Sequence, residues 1–143
     1  MLHSKHIAAY LPHKVFAAQP RLSKKELYPI YGLKHSSYAG EWIVYLDDSR
    51  HGDYQSAYLK GITLALRPLD DLLKKSFIHN TEEIIPNIEL PHLDFEWLVN
   101  STDPYKLINR LGYEDFEKLL SWHIDVFGLI HKEGAIDMYT LEE

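Results

Sequence analysis

SWHIDVFGLIHKEGAIDM, residues 121–138, is the stretch on which the interpretation of the whole chain depends. It holds two histidines, two aspartates and a glutamate, so two interpretations are open: a metal or catalytic site, or the end of a helix and its turn. The apolar residues before and within it recur at i, i+3, i+4 and i+7, the spacing of a core-facing helix stripe. The stripe consists of Phe116, Leu119, Leu120, His123 and Phe127. This spacing predicts a last helix that begins near Glu114 and ends before Gly128.

On such a helix, His123 and Asp125 lie on different faces. Asp125 is two positions further along, about 200° around the axis, and residues i and i+2 do not face each other. We therefore expect His123 to be a core histidine with a hydrogen-bonded ring nitrogen, and Asp125 to face water. A helical metal site needs ligands at i and i+4, as in H-E-x-x-H, so none is predicted here. In a strand, the two side chains would instead share a face, and both remain candidate ligands on that condition.

The composition is that of an ordinary globular protein. The chain has 143 residues, 45% hydrophobic and 25% charged, which predicts one domain, 1–143, with lobes at 1–67 and 68–143. The absence of cysteine excludes disulfides, zinc–thiolate sites and thiol nucleophiles. The N-terminus lacks the pattern of a secretory signal, and no apolar run approaches the ~20 residues that cross a bilayer. We expect a soluble, cytoplasmic protein without a membrane partner.

The period of the hydrophobic pattern changes in the middle of the chain. EWIVYL (41–46) has the content of a strand, and Ile62, Leu64 and Leu66 alternate as in a half-buried strand. After Arg67–Pro68 the pattern becomes helical, and it returns at 94–99, after Asp103–Pro104 and near Glu114. These signals predict the α+β class: a small antiparallel β-sheet in the N-terminal half, packed against acidic α-helices in the C-terminal half.

Charge is distributed unequally between the halves. Residues 1–75 carry a net charge of +4 and seven of the ten tyrosines, whereas residues 76–143 carry −10. An exposed acidic helical surface attracts a basic partner and speeds encounter more than it adds affinity. The leading hypothesis is therefore a non-catalytic accessory protein that binds another protein, with Glu114, Asp115 and Glu117 as candidate interaction residues.

A second hypothesis is single-stranded nucleic-acid binding by the basic, tyrosine-rich half. Basic residues interleaved with aromatic ones on a sheet can neutralise phosphates and stack on bases. The candidate residues are Arg21, Lys24, Lys25, Tyr28, Tyr31, Lys34 and Tyr38. The alternative is that these tyrosines are half-buried strand residues and the lysines their solvated neighbours, and the acidic half would repel a polyanion.

A third hypothesis is a metal-dependent activity that uses some of the nine histidines. His3 and His6 are three apart and would chelate a transition metal if the N-terminus were helical, although chain ends are usually frayed. The phosphate-binding, dinucleotide-binding and G-x-S-x-G motifs are all absent. The sequence therefore predicts no catalytic residue and no cofactor, and offers no positive case for an enzyme.

Two stretches, ITLALRPLDDL (62–72) and LLSWHIDVFGLIHKEGAIDM (119–138), resemble a loose set of short proteins of unknown function. That set is encoded by prophages and mobile elements of Bacteroidetes. His123, Asp125 and Gly128 match a run that recurs near the end of its members. The resemblance implies a phage or mobile-element origin and a cytoplasmic location, and it carries over no catalytic residue.

Overall fold

The computed structural model describes residues 2–19, 23–48 and 53–139, with side chains within 2–18, 27–47 and 56–139. Within these ranges the strands are Phe16–Gln19 (β1), Ser23–Ser36 (β2), Glu41–Asp48 (β3), Asp53–Tyr58 (β4), Thr63–Leu66 (β5), Phe77–His79 (β6), Glu82–Ile84 (β7) and Ala135–Asp137 (β8). The α-helices are Ser4–Tyr10 (α1), Pro86–Glu89 (α2), Phe95–Asn100 (α3) and Tyr113–Ser121 (α4). Short 3-10 helices lie at Leu11–His13, Leu59–Gly61, Leu69–Leu73 and Pro104–Asn109. None of the helices described is long and apolar enough to span a membrane.

Six strands form one sheet in the order β4-β3-β2-β1-β5-β8, and β6 and β7 form a separate hairpin. The strands from β1 to β5 pair antiparallel, whereas β8 lies parallel to β5. The predicted α+β class is confirmed. The sheet is mixed and not purely antiparallel, because a strand from the C-terminal end of the chain joins it beside β5.

The long strand β2 changes partner along its length. Its first part pairs with β1, at Tyr28 and Pro29, and its second part pairs with β3. The register shifts between Ile30 and Gly32, so that Tyr31 is the extra residue of a bulge. Bulges redirect side chains, and Tyr31 is half exposed, with its ring centroid 5.9 Å from that of Tyr45.

Strand β5 is more deeply buried than its sequence predicts. The predicted alternation places Ile62, Leu64 and Leu66 on one face, and all three are buried. Ala65, on the other face, is buried as well. The reason is the position of the strand: β5 lies inside the sheet, between β1 and β8, and is covered on both sides.

A single cluster of buried apolar side chains connects the sheet and the helices. It includes Ile7 and Tyr10 of α1, Leu64 of β5, and Leu119 and Leu120 of α4. Full burial of one such aliphatic side chain stabilises a fold by roughly 1.5–3 kcal/mol. Helices α1 and α4 are therefore held against the sheet by the same core.

The predicted last helix, which was to continue to residue 127, is wrong in its second half. Helix α4 ends at Ser121, and His123 adopts a left-handed φ of 58°. The backbone N–H of Arg67 then donates to the carbonyl of His123 (2.7 Å), and the N–H of Asp125 donates to the carbonyl of Arg67 (2.9 Å). This isolated parallel bridge, Arg67 with Ile124, extends β5 by one residue. Arg67 is buried, so its backbone groups need partners, and a helix through 123–125 would provide none.

Tyr10 fixes the same segment from the opposite side. Its hydroxyl donates to the carbonyl of Ile124 and accepts from the N–H of Val126 (3.3 Å). The side chain is fully buried, and burial raises the pKa of its phenol. Residues 122–126 are thus held between α1 and the end of β5.

Candidate functional site

His123 lies where the sequence predicts it, inside the core. It is 2% exposed, and its Nε2 lies 2.7 Å from the backbone carbonyl of His13. Because a carbonyl only accepts, the ring carries its proton on Nε2 and donates it. The prediction of a core histidine with a hydrogen-bonded ring nitrogen is confirmed.

The prediction that Asp125 faces water is wrong, because the side chain is fully buried. Its Oδ1 accepts from the N–H of Leu129 (2.8 Å) and its Oδ2 from the N–H of Ile130 (2.9 Å). Burial raises the pKa of this carboxyl, and the N–H groups of Ile130 and Leu129 partly offset the increase. Asp125 therefore closes the turn at Gly128, where φ is 72°. The sequence signal was present: aspartate commonly caps backbone N–H groups just ahead of a turn.

A buried polar cluster surrounds the side chain of Arg67. One guanidinium nitrogen lies 3.1 Å from the hydroxyl of Tyr139 and 3.5 Å from Oδ2 of Asp71. Tyr139 in turn donates to Asp71 (2.7 Å), and Lys74 lies 2.9 Å from the other oxygen of Asp71. Arg67 also donates to Nδ1 of His79 (3.4 Å). A buried charge needs such partners, and this cluster ties β6 and the residues after β8 to the end of β5.

The rings of His79 and His123 meet edge to face, with centroids 4.7 Å apart. Burial, the neighbouring His123 and the charge of Arg67 lower the pKa of His79 to about 4. Burial likewise lowers the pKa of His123. Both imidazoles are therefore neutral at physiological pH. The groups at the centre of the cluster, Arg67, Asp71, His79 and His123, are buried and bonded to one another or to the backbone, and no single motif in the sequence pointed to it.

His3 and His6 lie at the start of α1. The backbone N–H of His3 donates to Nδ1 of His6 (3.0 Å), and the ring of His6 is buried against Phe127, 4.9 Å between centroids. Burial, His3 and nearby lysines lower the pKa of His6 to about 4. Among the described side chains, no group of three or more His, Cys, Asp and Glu residues is placed to hold a metal ion.

The candidate nucleic-acid residues separate into three groups. Arg21 and the side chains of Lys24 and Lys25 lie outside the described parts of the chain. Tyr28 is buried and cannot stack on a base. The exposed members are Tyr31, Lys34 and Tyr38.

Strand register adds further residues to that exposed side of the sheet. Tyr45 and Ile43 share one face of β3, and both Lys34 and Tyr58 pair with Ile43 from the neighbouring strands. Lys60 lies 5.7 Å from the ring of Tyr58. We call this set the tyrosine face; its members are Tyr31, Lys34, Tyr45, Tyr58 and Lys60.

The acidic candidates lie on α4 and differ in their contacts. Glu114 is exposed and Asp115 is half-buried, and neither forms an ion pair with another described residue. Both lie in the first turn of the helix, where a negative charge is favourable. Glu117 instead pairs with His13 (3.1 Å), which joins the acidic half to the basic half.

Beside α4 lies a cleft that sequence reasoning missed. Two cavities, of about 310 and 140 Å³, share Asp94 and Trp97 as lining residues. Asp94 caps α3 by accepting from the N–H of Trp97 (2.9 Å), and the guanidinium of Arg110 stacks 4.4 Å from the indole centroid. We call this the Trp97 cleft; its charged and aromatic residues are Asp94, Glu96, Trp97, Arg110 and Asp115. These residues come from three separate elements, which is why no sequence spacing revealed them.

No protein-family model matches the chain, and neither the curated proteins nor the solved structures compared with it give a match. The resemblance to phage and mobile-element proteins therefore stays a prediction.

We expect Asp125→Asn to lower the free energy of unfolding by roughly 1–3 kcal/mol, because the amide leaves one buried backbone N–H without an acceptor. Urea titration followed by circular dichroism measures this loss. Asp115→Asn is the matched control, with an expected loss below about 1 kcal/mol. Equal losses for the two variants would contradict the structural role of Asp125.

We expect stability to fall as the pH decreases from 6.5 to about 4. In this window the unfolded chain binds protons on its histidines, whereas His79 with its pKa near 4 stays neutral in the folded state. The difference from the ordinary value of 6.5 corresponds to a loss of up to about 3 kcal/mol. Urea titrations across this range should show a smaller decrease for His79→Gln than for wild type. The exposed His92→Gln should match wild type, and an unchanged decrease in His79→Gln would argue against the prediction.

Proposed function

We propose that this protein is a non-catalytic module that binds a basic segment of another protein through the Trp97 cleft and the first turn of α4. The observation that carries the proposal is that Trp97 lines two adjoining cavities whose other lining residues include Asp94, Glu96 and Asp115, with the guanidinium of Arg110 stacked on its indole. An arginine or lysine of a partner would make the same kind of cation–π contact with the indole that Arg110 makes.

The charge of the cleft supports a basic partner. Glu96 and Asp115 form no ion pair with other described residues, and Lys118 of α4 donates to the backbone carbonyl of Glu89 instead of to a carboxylate. A cation placed over an indole between free carboxylates gains both a cation–π contact and charge attraction. Val99 and Tyr113, both largely exposed, add apolar surface on α3 and α4.

The distribution of charge along the chain also favours a basic partner. The second half of the chain carries −10, and an acidic surface of this kind steers a basic partner before contact is made. His79, His123 and Asp125, which are the groups most suited to acid–base chemistry, are buried and held by internal contacts. They are structural residues in this fold, which favours binding over catalysis. A cytoplasmic location and a mobile-element origin stay predictions.

A second candidate function is single-stranded nucleic-acid binding through the tyrosine face. Three tyrosines from three adjacent strands lie on one side of the sheet, and Lys34 and Lys60 lie beside them. Aromatic rings spaced along a sheet stack on successive bases without sequence preference. Against it stand the Lys60–Glu41 ion pair (2.7 Å) and the net charge of −6.

The first proposal is tested by capture from host lysate at physiological salt, with and without nuclease. The wild-type chain should recover a basic protein that resists nuclease, and the double variant Glu114→Lys/Asp115→Lys should recover at least about tenfold less, since each reversed charge repels the partner. Glu82→Lys/Glu83→Lys, an exposed pair on β7 outside the cleft, is the matched control and should bind as wild type. A partner that ignores the change on α4, or no partner at all, would count against this function.

The second candidate is tested by fluorescence anisotropy with labelled oligo-dT at low salt. If the tyrosine face binds, affinity falls steeply with salt and drops roughly tenfold in Tyr31→Ala, whereas Tyr113→Ala, an exposed tyrosine of α4, has no effect. A flat titration with the wild-type chain ends this candidate.

A further inference from the structure

A cation of the chain itself, the guanidinium of Arg110, lies on the indole of the Trp97 cleft. Its Cζ is 4.4 Å from the ring centroid, and Arg110 lines the smaller cavity of the cleft, of about 140 Å³, together with Asp94 and Asp115. The side chain is exposed, and within the described ranges its guanidinium forms no hydrogen bond or ion pair. A single cation–π contact at an exposed site is weak. Arg110 therefore occupies the indole without being fixed there.

Arg67 shows how differently a structural arginine is held in this fold. Its guanidinium is buried and is bonded to Tyr139, Asp71 and His79. Removing such partners would leave a buried charge uncompensated, which is strongly destabilising. Arg110 has no comparable set of polar partners in the described part of the chain, so its guanidinium can move into water at a small cost in free energy.

Trp97, in contrast to Arg110, is fixed in place. Its side chain is half-buried and packs against the hydrophobic core. Its backbone N–H donates to the capping carboxylate of Asp94 (2.9 Å), and the next residue of α3, Leu98, is buried. A rigid aromatic ring that carries a displaceable cation is a cation-binding surface that the chain occupies with a residue of its own.

The occupant indicates which cation the cleft suits. A guanidinium is planar, so it lies flat on an indole while its N–H groups point outward in its own plane, whereas an ammonium is compact and strongly hydrated. Asp94 and Asp115 line the same cavity and form no ion pair with other described residues, so their carboxylates can accept from those N–H groups. Lys106 and Lys118 lie on the neighbouring elements, and neither of them lines the cleft.

We propose that the Trp97 cleft takes an arginine side chain of the partner in the place of Arg110, and that Arg110 is an internal competitor of that arginine. This inference rests on the proposed function, because it names the side chain that the module recognises. While Arg110 is stacked, the indole face is closed to a second guanidinium, and the observed affinity falls with the fraction of molecules in which the face is open. Removing Arg110 therefore strengthens binding, which is the opposite of what removing an interface contact does.

The test is an NMR titration of the isotope-labelled full chain at physiological salt, followed at the indole N–H of Trp97. The probes are the peptide acetyl-Gly-Arg-Gly-Arg-Gly-amide and its counterpart with lysine in place of arginine. We expect Arg110→Ala to bind the arginine peptide about threefold tighter than wild type, since the competing contact is an exposed cation–π pair. The lysine peptide should bind more weakly than the arginine peptide to both chains.

Lys106→Ala is the matched control for charge. It removes one exposed positive charge from the same 3-10 helix and leaves Arg110 on the indole. Its affinity for the arginine peptide should stay within about 1.5-fold of wild type, because salt screens the distant charge. Displacement has a readout of its own in wild type: the δ-methylene protons of Arg110, shifted by the ring current of the stacked indole, should return to ordinary values as the arginine peptide is added.

The outcomes separate this inference from the proposed function. Arg110→Ala binding no tighter than Lys106→Ala, or Arg110 protons that stay shifted at saturation, would overturn the internal competitor and leave the binding module standing. Equal affinity for the two peptides would overturn the assignment of arginine. Absence of peptide binding to both wild type and Arg110→Ala would overturn the inference as a whole, and capture from lysate would then decide the proposed function by itself.

Discussion

The fold depends on two backbone hydrogen bonds between Arg67 and the segment around Ile124. Two hydrogen bonds, from Arg67 to His123 and from Asp125 to Arg67, continue β5 by one residue and stop α4 from continuing as a helix. Arg67 is buried, so leaving its N–H and carbonyl unpaired would cost roughly 1–3 kcal/mol for each group. A helix through 123–125 would keep its own hydrogen bonds and leave those two groups without partners.

This pair of backbone hydrogen bonds also sets the directions of His123 and Asp125. It turns His123 toward His13 and His79, and it turns Asp125 under the N–H groups of Leu129 and Ile130. Tyr10 holds Ile124, the residue between them, through its carbonyl. The acidic and imidazole groups are thus used as internal acceptors and packing groups.

The remaining chemistry is at the surface, in places that the fold keeps apart. The tyrosine face lies on β2, β3 and β4, and the Trp97 cleft lies between α3 and α4. The tyrosine face carries Lys34 and Lys60, whereas the Trp97 cleft is lined by Asp94, Glu96 and Asp115. The unequal charge along the chain therefore becomes separate patches of opposite sign, joined by contacts such as His13 with Glu117.

The α+β class, the strand at 41–46, the buried face of β5 and the buried His123 could all be predicted from the sequence. Each depends on the local period of apolar residues, and a side chain that is apolar on the core side of any element is buried whatever its partners are. The end of α4 and the Arg67 cluster depended on tertiary structure alone, whereas Asp125 had a local capping signal and only its burial was decided by the tertiary structure. The spacing of apolar residues between 116 and 127 is equally compatible with a helix that continues to residue 127 and with a helix that ends at Ser121. Arg67, more than fifty residues away in the chain, decided between the two, because its buried backbone N–H and carbonyl required partners that a helix through 123–125 would not supply.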